Sequence, residues 1–128
     1  LDHFKNINDK YGHIIGDRVL SAFASVLSQK TRESDFNARY GGEEFAILLP
    51  ETNLDQAYLV AERLRYIIAG TTIQAKQCEF SLTISLGVAT VTDDIKNFND
   101  LMRKADAALY AAKENGRNRV EPRVGKNP

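Results

Sequence analysis

The sequence predicts an α/β sandwich in which helices pack on one largely antiparallel sheet. Three observations carry this reading. Segments with a helical apolar period alternate with segments of strand period along the chain. In the middle, Gly41-Gly42 separates two strand-like runs, a hairpin signal because glycine supplies the positive φ of a tight primed turn. Further on, Phe80, Leu82, Ile84, Leu86 and Val88 alternate with Ser81, Thr83, Ser85, Gly87 and Ala89, giving one bulky face and one small face that lets another backbone approach closely. A length of 128 residues suits one domain with a proper core.

Phe4 and Ile7 form a weak helical pair, and Asn8, Asp9 and Gly12 favour a short helix and a turn. A stronger helix is expected to open at Gly16-Asp17, with Val19, Leu20, Phe23, Ala24 and Leu27 on its apolar face and Asp17 as N-cap or first-turn acid. The polar run Arg32-Glu33-Ser34-Asp35 leads into a strand over Asn37 to Tyr40. After the glycines, Phe45 to Leu49 has no polar face, which suits a strand buried on both sides, and Pro50 closes it. Asn53 with Gln56 resembles a capping box for a helix with Leu54, Ala57, Tyr58, Ala61, Leu64 and Ile68 inward, ended by Gly70. Thr71 to Gln74 reads as an edge strand ahead of the Phe80–Val88 strand. Asn97 can cap a last helix with Phe98, Leu101, Met102, Ala105, Ala108, Leu109 and Ala112 inward, and Asn115-Gly116 stops it. A short strand near Arg119 to Glu121 closes the domain at about residue 122, and residues 123–128 read as a frayed end.

Composition narrows the function classes. Lys plus Arg and Asp plus Glu number 17 each, so no overall field points to a nucleic-acid or membrane partner, and phosphate recognition must rest on local clusters. One cysteine, Cys78, excludes an internal disulfide, and with two histidines a zinc site is not expected. No apolar run reaches the length of a membrane span. Glu43 and Glu44 stand at the hairpin beside the space left by two absent side chains, where a metal or phosphate can approach the backbone. Taken singly, paired turn glutamates read as solvated, Asp17 as a cap, Asn8 as a turn residue, and Lys113 and Arg117 as charges favourable to a helix C-terminus.

Arg39-Tyr40-Gly41-Gly42-Glu43-Glu44-Phe45 resembles the signature of the GGDEF family, the diguanylate cyclases, in its GGEEF form. Further blocks of the resemblance follow the family order: Asp2-His3-Phe4-Lys5 with Asn8-Asp9, Gly12-His13 with Gly16-Asp17, Ser85-Leu86-Gly87-Val88, and Ala105-Asp106, Leu109-Tyr110, Ala112-Lys113 and Gly116-Arg117-Asn118. Together they span nearly the whole chain.

The resemblance implies a palm-like nucleotide-cyclase fold with GGEEF on a β-hairpin. It implies a homodimer in which two GTP molecules condense to cyclic di-GMP and pyrophosphate, with Mg²⁺ or Mn²⁺ held by acidic ligands. It makes Glu43 a metal ligand, places Glu44 beside the reacting hydroxyl, and gives the Leu1 carbonyl to a metal. Asn8 and Asp17 become guanine readers, Lys5, Lys113 and Arg117 phosphate-binding groups, and Gly41 and Gly42 the room for the α-phosphate. Arg32-x-x-Asp35, with Arg63, matches the family's inhibitory site for cyclic di-GMP.

One departure stands out. The family's first strand and its terminal aspartate, the other main metal ligand, would precede Leu1. The expectation is a domain over residues 1–122 that is N-terminally incomplete, and a chain truly beginning at Leu1 would be catalytically dead. An upstream sensory or receiver region is expected, in a bacterial cytoplasmic setting compatible with membrane anchoring of the parent polypeptide. The alternative is a non-catalytic domain that senses GTP or cyclic di-GMP, or one that regulates a fused phosphodiesterase.

Overall fold

The computed structural model describes residues 1–123, so the predicted frayed segment from residue 124 onward lies outside the described residues. Helix α1 (Phe4–Tyr11) buries Phe4 and Ile7 and ends at Gly12, whose φ of +91° favours glycine. Helix α2 (His13–Lys30) starts directly after that glycine, because the Gly12 carbonyl already accepts from Gly16 N–H at 3.0 Å. The expected opening at Gly16-Asp17 is therefore corrected: Asp17 lies in the second turn and caps nothing. Val19, Leu20, Phe23 and Leu27 are buried as their spacing predicts.

Strands β1 (Phe36–Arg39) and β2 (Phe45–Leu48) pair antiparallel, with Phe36 opposite Leu48 and Arg39 opposite Phe45. The five residues 40–44 form a loop in which Tyr40 and Gly41 N–H both donate to the Glu44 carbonyl, at 2.8 and 3.2 Å. Neither Gly41 nor Gly42 has a left-handed φ, so the expected two-residue primed turn gives way to a wider loop. The reading of Phe45–Leu49 as buried on both sides is also corrected. Phe45, Ala46 and Ile47 are half-buried and Leu48 is exposed, because the hairpin borders an open cleft.

Helix α3 (Leu54–Ala69) carries the predicted capping box in full: Asn53 Oδ1 accepts from Gln56 N–H at 2.8 Å, and Gln56 Oε1 from Asn53 N–H at 3.2 Å. Strands β3 (Thr72–Ala75) and β4 (Cys78–Ser81) make an antiparallel hairpin. The alternation from Phe80 onward holds, with Phe80, Leu82 and Ile84 buried, but the ladder breaks after Ser81. It resumes in β5 (Leu86–Gly87), which pairs parallel with β6 (Val120–Glu121). Thr83, in the gap, bonds instead to the N-terminal segment, its carbonyl accepting from Asp2 N–H at 3.0 Å. The sheet thus appears as three hydrogen-bonded pairs within the predicted α/β class.

Helix α4 (Phe98–Glu114) is capped by Asn97, which accepts from Asp100 N–H at 2.9 Å. Of its expected inward face, Ala112 is fully buried while Phe98 is exposed. Leu101, Met102, Ala105 and Leu109 line an apolar cleft of about 650 Å³, with Phe45 and Ile47 across from Ile84 and Leu86. The core proper is filled by Val19, Leu27, Leu64 and Ile68, each worth about 1.5–3 kcal/mol of burial.

The small face of the 80–88 segment finds its helix at Gly87. A Cβ there would lie 2.2 Å from the Ala105 carbonyl oxygen and 2.3 Å from the Leu109 nitrogen, both backbone atoms that cannot move aside. Gly87→Ala is expected to lower stability by about 1–3 kcal/mol, read as a drop in the midpoint of denaturant unfolding. Asn53→Ala, which removes half of the capping box, is expected to cost about 1 kcal/mol in the same measurement.

Candidate active site

The hairpin loop is held in shape by the residue that enters it. Arg39 donates through Nε to the carbonyls of Gly41 and Gly42 at 3.2 and 3.1 Å, and through Nη2 to Gly42 at 2.6 Å. A Cβ on Gly42 would meet nothing within 4 Å, so the loop presents open space at its tip. Glu43 and Glu44 are half-buried rather than fully solvated. The Leu1 nitrogen donates to the Glu43 carbonyl at 3.2 Å, and Lys113 Nζ lies 3.8 Å from Glu44 Oε2. Leu1, Glu43, Glu44 and Lys113 therefore meet at one corner, where all four line the apolar cleft.

A second cavity, of about 320 Å³, lies between α2 and the hairpin and is lined by Asp17, Ser21, Arg39 and Phe45 among others. Asn8 of α1 packs on α2 at Gly16. A Cβ at Gly16 would sit 1.8 Å from Asn8 Oδ1, so glycine there admits the amide against α2. Asn8 thus lies against α2 at Gly16, the residue before Asp17.

Asp2 is buried, with 5% of its surface exposed. Its Oδ2 accepts from Thr83 Oγ1 at 2.7 Å and from Asn118 N–H at 3.1 Å, and its Oδ1 from Ser85 Oγ at 2.6 Å. Arg117, beside Asn118, is exposed in the turn after α4, and Lys5 is exposed near the start of α1. No ion pair among the described residues joins either of them to the corner. Sequence reasoning gave no site role to Arg39 or Asp2. Five donors beside a glycine-rich loop could have pointed to Arg39, whereas the partners of Asp2 are too distant along the chain to be read.

Arg32, exposed, closes over the buried carboxylate of Asp35. Arg32 N–H donates to Asp35 Oδ2 and its Nη2 to Oδ1, both at 2.9 Å, and Nη2 also reaches Thr52 Oγ1 at 3.3 Å. Arg63 lies exposed on α3, with no hydrogen bond among the described residues to either of them. Burial alone would raise the Asp35 carboxyl, but hydrogen bonds from the Arg32 side chain and backbone outweigh it and hold the group below its ordinary 3.8. A carboxyl lowered in the fold contributes stability above its unfolded pKa and loses it as pH falls through the lowered value. Arg32→Ala, which removes the side-chain bonds and keeps the backbone one, is expected to move the Asp35 titration upward in an NMR-detected pH series. Acid unfolding is expected to begin at higher pH in the same variant.

Comparison with known proteins gives the family. The family model described as "Diguanylate cyclase, GGDEF domain" matches residues 1–119. Diguanylate cyclase A of Treponema denticola is 44% identical over 120 residues, which cover 94% of this chain and 32% of that protein. The chain spans about a third of the length of that relative. Among solved structures, the GGDEF domain of DgcB from Caulobacter crescentus in complex with c-di-GMP matches with a TM-score of 0.84 and 37% identity, covering 93% of this chain and 71% of that one. The active GGEEF domain of a diguanylate cyclase from Vibrio cholerae matches with a TM-score of 0.81 and 37% identity, covering 93% and 75%. The chain belongs to the GGDEF domain family of diguanylate cyclases.

Proposed function

We propose that this chain is the catalytic domain of a diguanylate cyclase that condenses two GTP into cyclic di-GMP and two pyrophosphates across a homodimer. The observation that carries the reading is the corner where Leu1, Glu43, Glu44 and Lys113 meet beside the open tip at Gly42. Asp17 accepts from the N1–H and amino group of guanine, and Asn8 donates to its acceptor edge, which gives a preference for GTP over ATP. Lys5, Lys113 and Arg117 bind the phosphates, and Gly41 and Gly42 let the α-phosphate approach the loop.

The Glu43 carboxylate and the Leu1 carbonyl, with Glu44 alongside, would supply oxygen donors of the kind a hard divalent cation such as Mg²⁺ or Mn²⁺ takes. No three acidic, histidine or cysteine side chains cluster among the described residues, so further ligands must come from elsewhere. When bound, such an ion neutralises charge on the triphosphate. The 3′-hydroxyl oxygen of each GTP bonds to the α-phosphorus of the other, the bond to the β-phosphate bridging oxygen breaks, and pyrophosphate leaves. Glu44 stands beside the hydroxyl and takes up its proton. Each domain holds one GTP, so the reaction needs two domains face to face.

The cleft lined by Phe45, Ile47, Ile84 and Leu86 supports a further strand between β2 and the 82–88 segment, supplied from upstream of a domain that occupies residues 1–122. That strand would bring the second acidic ligand, and the upstream region would set dimerisation. Arg32 and Asp35, with Arg63, form the site at which product inhibits. No helix of the described residues is long and apolar enough to cross a membrane.

The test is GTP turnover with Mg²⁺ by the full-length protein, with products resolved by chromatography. Cyclic di-GMP is expected, with Glu43→Gln lowering the rate by about 100-fold or more. Added cyclic di-GMP is expected to suppress the reaction, and Arg32→Ala to relieve that suppression. Gly16→Ala, which displaces Asn8, is expected to raise KM for GTP by about tenfold or more. Tight GTP or cyclic di-GMP binding without any product would instead favour the sensor reading.

A further inference from the structure

Asp2 is charged and buried, and the mechanism above makes no use of it. Its three donors come from two segments remote from it in sequence, Thr83 and Ser85 on the strand segment and Asn118 in the turn after α4. Its backbone adds a fourth bond, N–H to the Thr83 carbonyl at 3.0 Å. On one side of Asp2 lies Leu1, bonded to Glu43, and shortly after it α1 begins with Phe4 and Lys5.

The turn it grips is in a costly conformation. Gly116, Arg117 and Asn118 are successively left-handed, with φ of +119°, +63° and +48°, and two of them carry a Cβ. Such a run persists only where its surroundings over-determine it. Arg117 N–H donates to the Ala112 carbonyl at 2.9 Å, and Asn118 is fixed at both ends, its N–H on Asp2 and its Oδ1 accepting from Arg65 Nη1 at 3.0 Å. Of these anchors, only Asp2 ties the turn to the segment that carries Leu1.

We propose that Asp2 is a positioning residue: its carboxylate fixes the turn bearing Arg117 against the segment bearing Leu1, so that the phosphate-binding and metal-binding sides keep one spacing. The role rests on the cyclase reading above. It differs from general core stabilisation because it acts on the phosphates of the nucleotide and leaves the proposed guanine readers Asn8 and Asp17 untouched.

Two variants separate the tether from the fold. In Asp2→Asn the amide oxygen can accept from Thr83 and Asn118 while its NH₂ donates to Ser85 Oγ, so the shape survives with neutral, weaker bonds. Asp2→Ala removes the tether. Without nucleotide, Asp2→Ala is expected to lower hydrogen-exchange protection at the Arg117 and Asn118 amides by about tenfold or more, with Leu64 and Ile68 unchanged. A uniform loss across the core, or no local loss, would overturn the proposal.

In direct binding, Asp2→Ala is expected to weaken GTP by about 10- to 100-fold and guanosine by less than about twofold, with Asp2→Asn between wild type and Asp2→Ala. In an Arg117→Ala background most of that GTP effect is expected to vanish, since the two residues act as one unit. Equal weakening of GTP and guanosine, or full additivity with Arg117→Ala, would reduce Asp2 to a structural residue. Wild-type protein that binds neither ligand would sink the cyclase reading and this role with it. Local protection lost in Asp2→Ala would then mark a purely structural tether.

Discussion

No side chain separates Gly87 from α4, and most of the site's geometry follows from that contact. The helix rests on strand backbone at Ala105 and Leu109, so neither its height above the sheet nor its rotation is free. One turn further along lies Lys113, brought to 3.8 Å from Glu44, and just beyond it the left-handed turn whose Asn118 meets Asp2. A helix held further off by even one methyl group would carry the basic residues away from the acidic hairpin. The glycine spends no side chain on chemistry, yet it sets the distance across which the charged groups face one another.

Much of this was legible along the chain. The apolar spacing of α2 and α3, the Asn53–Gln56 box and the alternation through Phe80 to Ile84 depend on neighbours a few residues away, and local physics decides them. The reading failed where a distant or permissive element decides. The apolar stripe alone puts the start of α2 near Asp17, whereas the φ of Gly12 sets it. The glycine pair fits either a tight primed turn or a wider loop, since glycine tolerates both, and the Glu44 carbonyl selects the wider one. Burial of β2 and of Phe98 depends on what lies across the cleft, which no local pattern encodes.

The site divides in the same way. Glu43 and Glu44 drew notice through their place beside two glycines, and the family resemblance gave them, Asn8, Asp17 and the basic residues their expected roles. The structure brings Asn8 beside Gly16, next to Asp17, and Lys113 to Glu44, but leaves Lys5 and Arg117 exposed at the rim. Asp2 remained mute because its meaning lies in Thr83, Ser85 and Asn118, each more than eighty positions away.

The pair between Lys113 and Glu44 has a consequence for how charge is traded at this corner. Before any ligand arrives, the cation and the carboxylate already face each other across 3.8 Å. A polyanion that enters with its own counterion does not meet two bare charges; it exchanges one internal pairing for two external ones. Such an exchange alters the local charge balance far less than a count of basic residues suggests. The pair is half-exposed and at the outer reach of an ion pair, so breaking it costs at most about 1 kcal/mol.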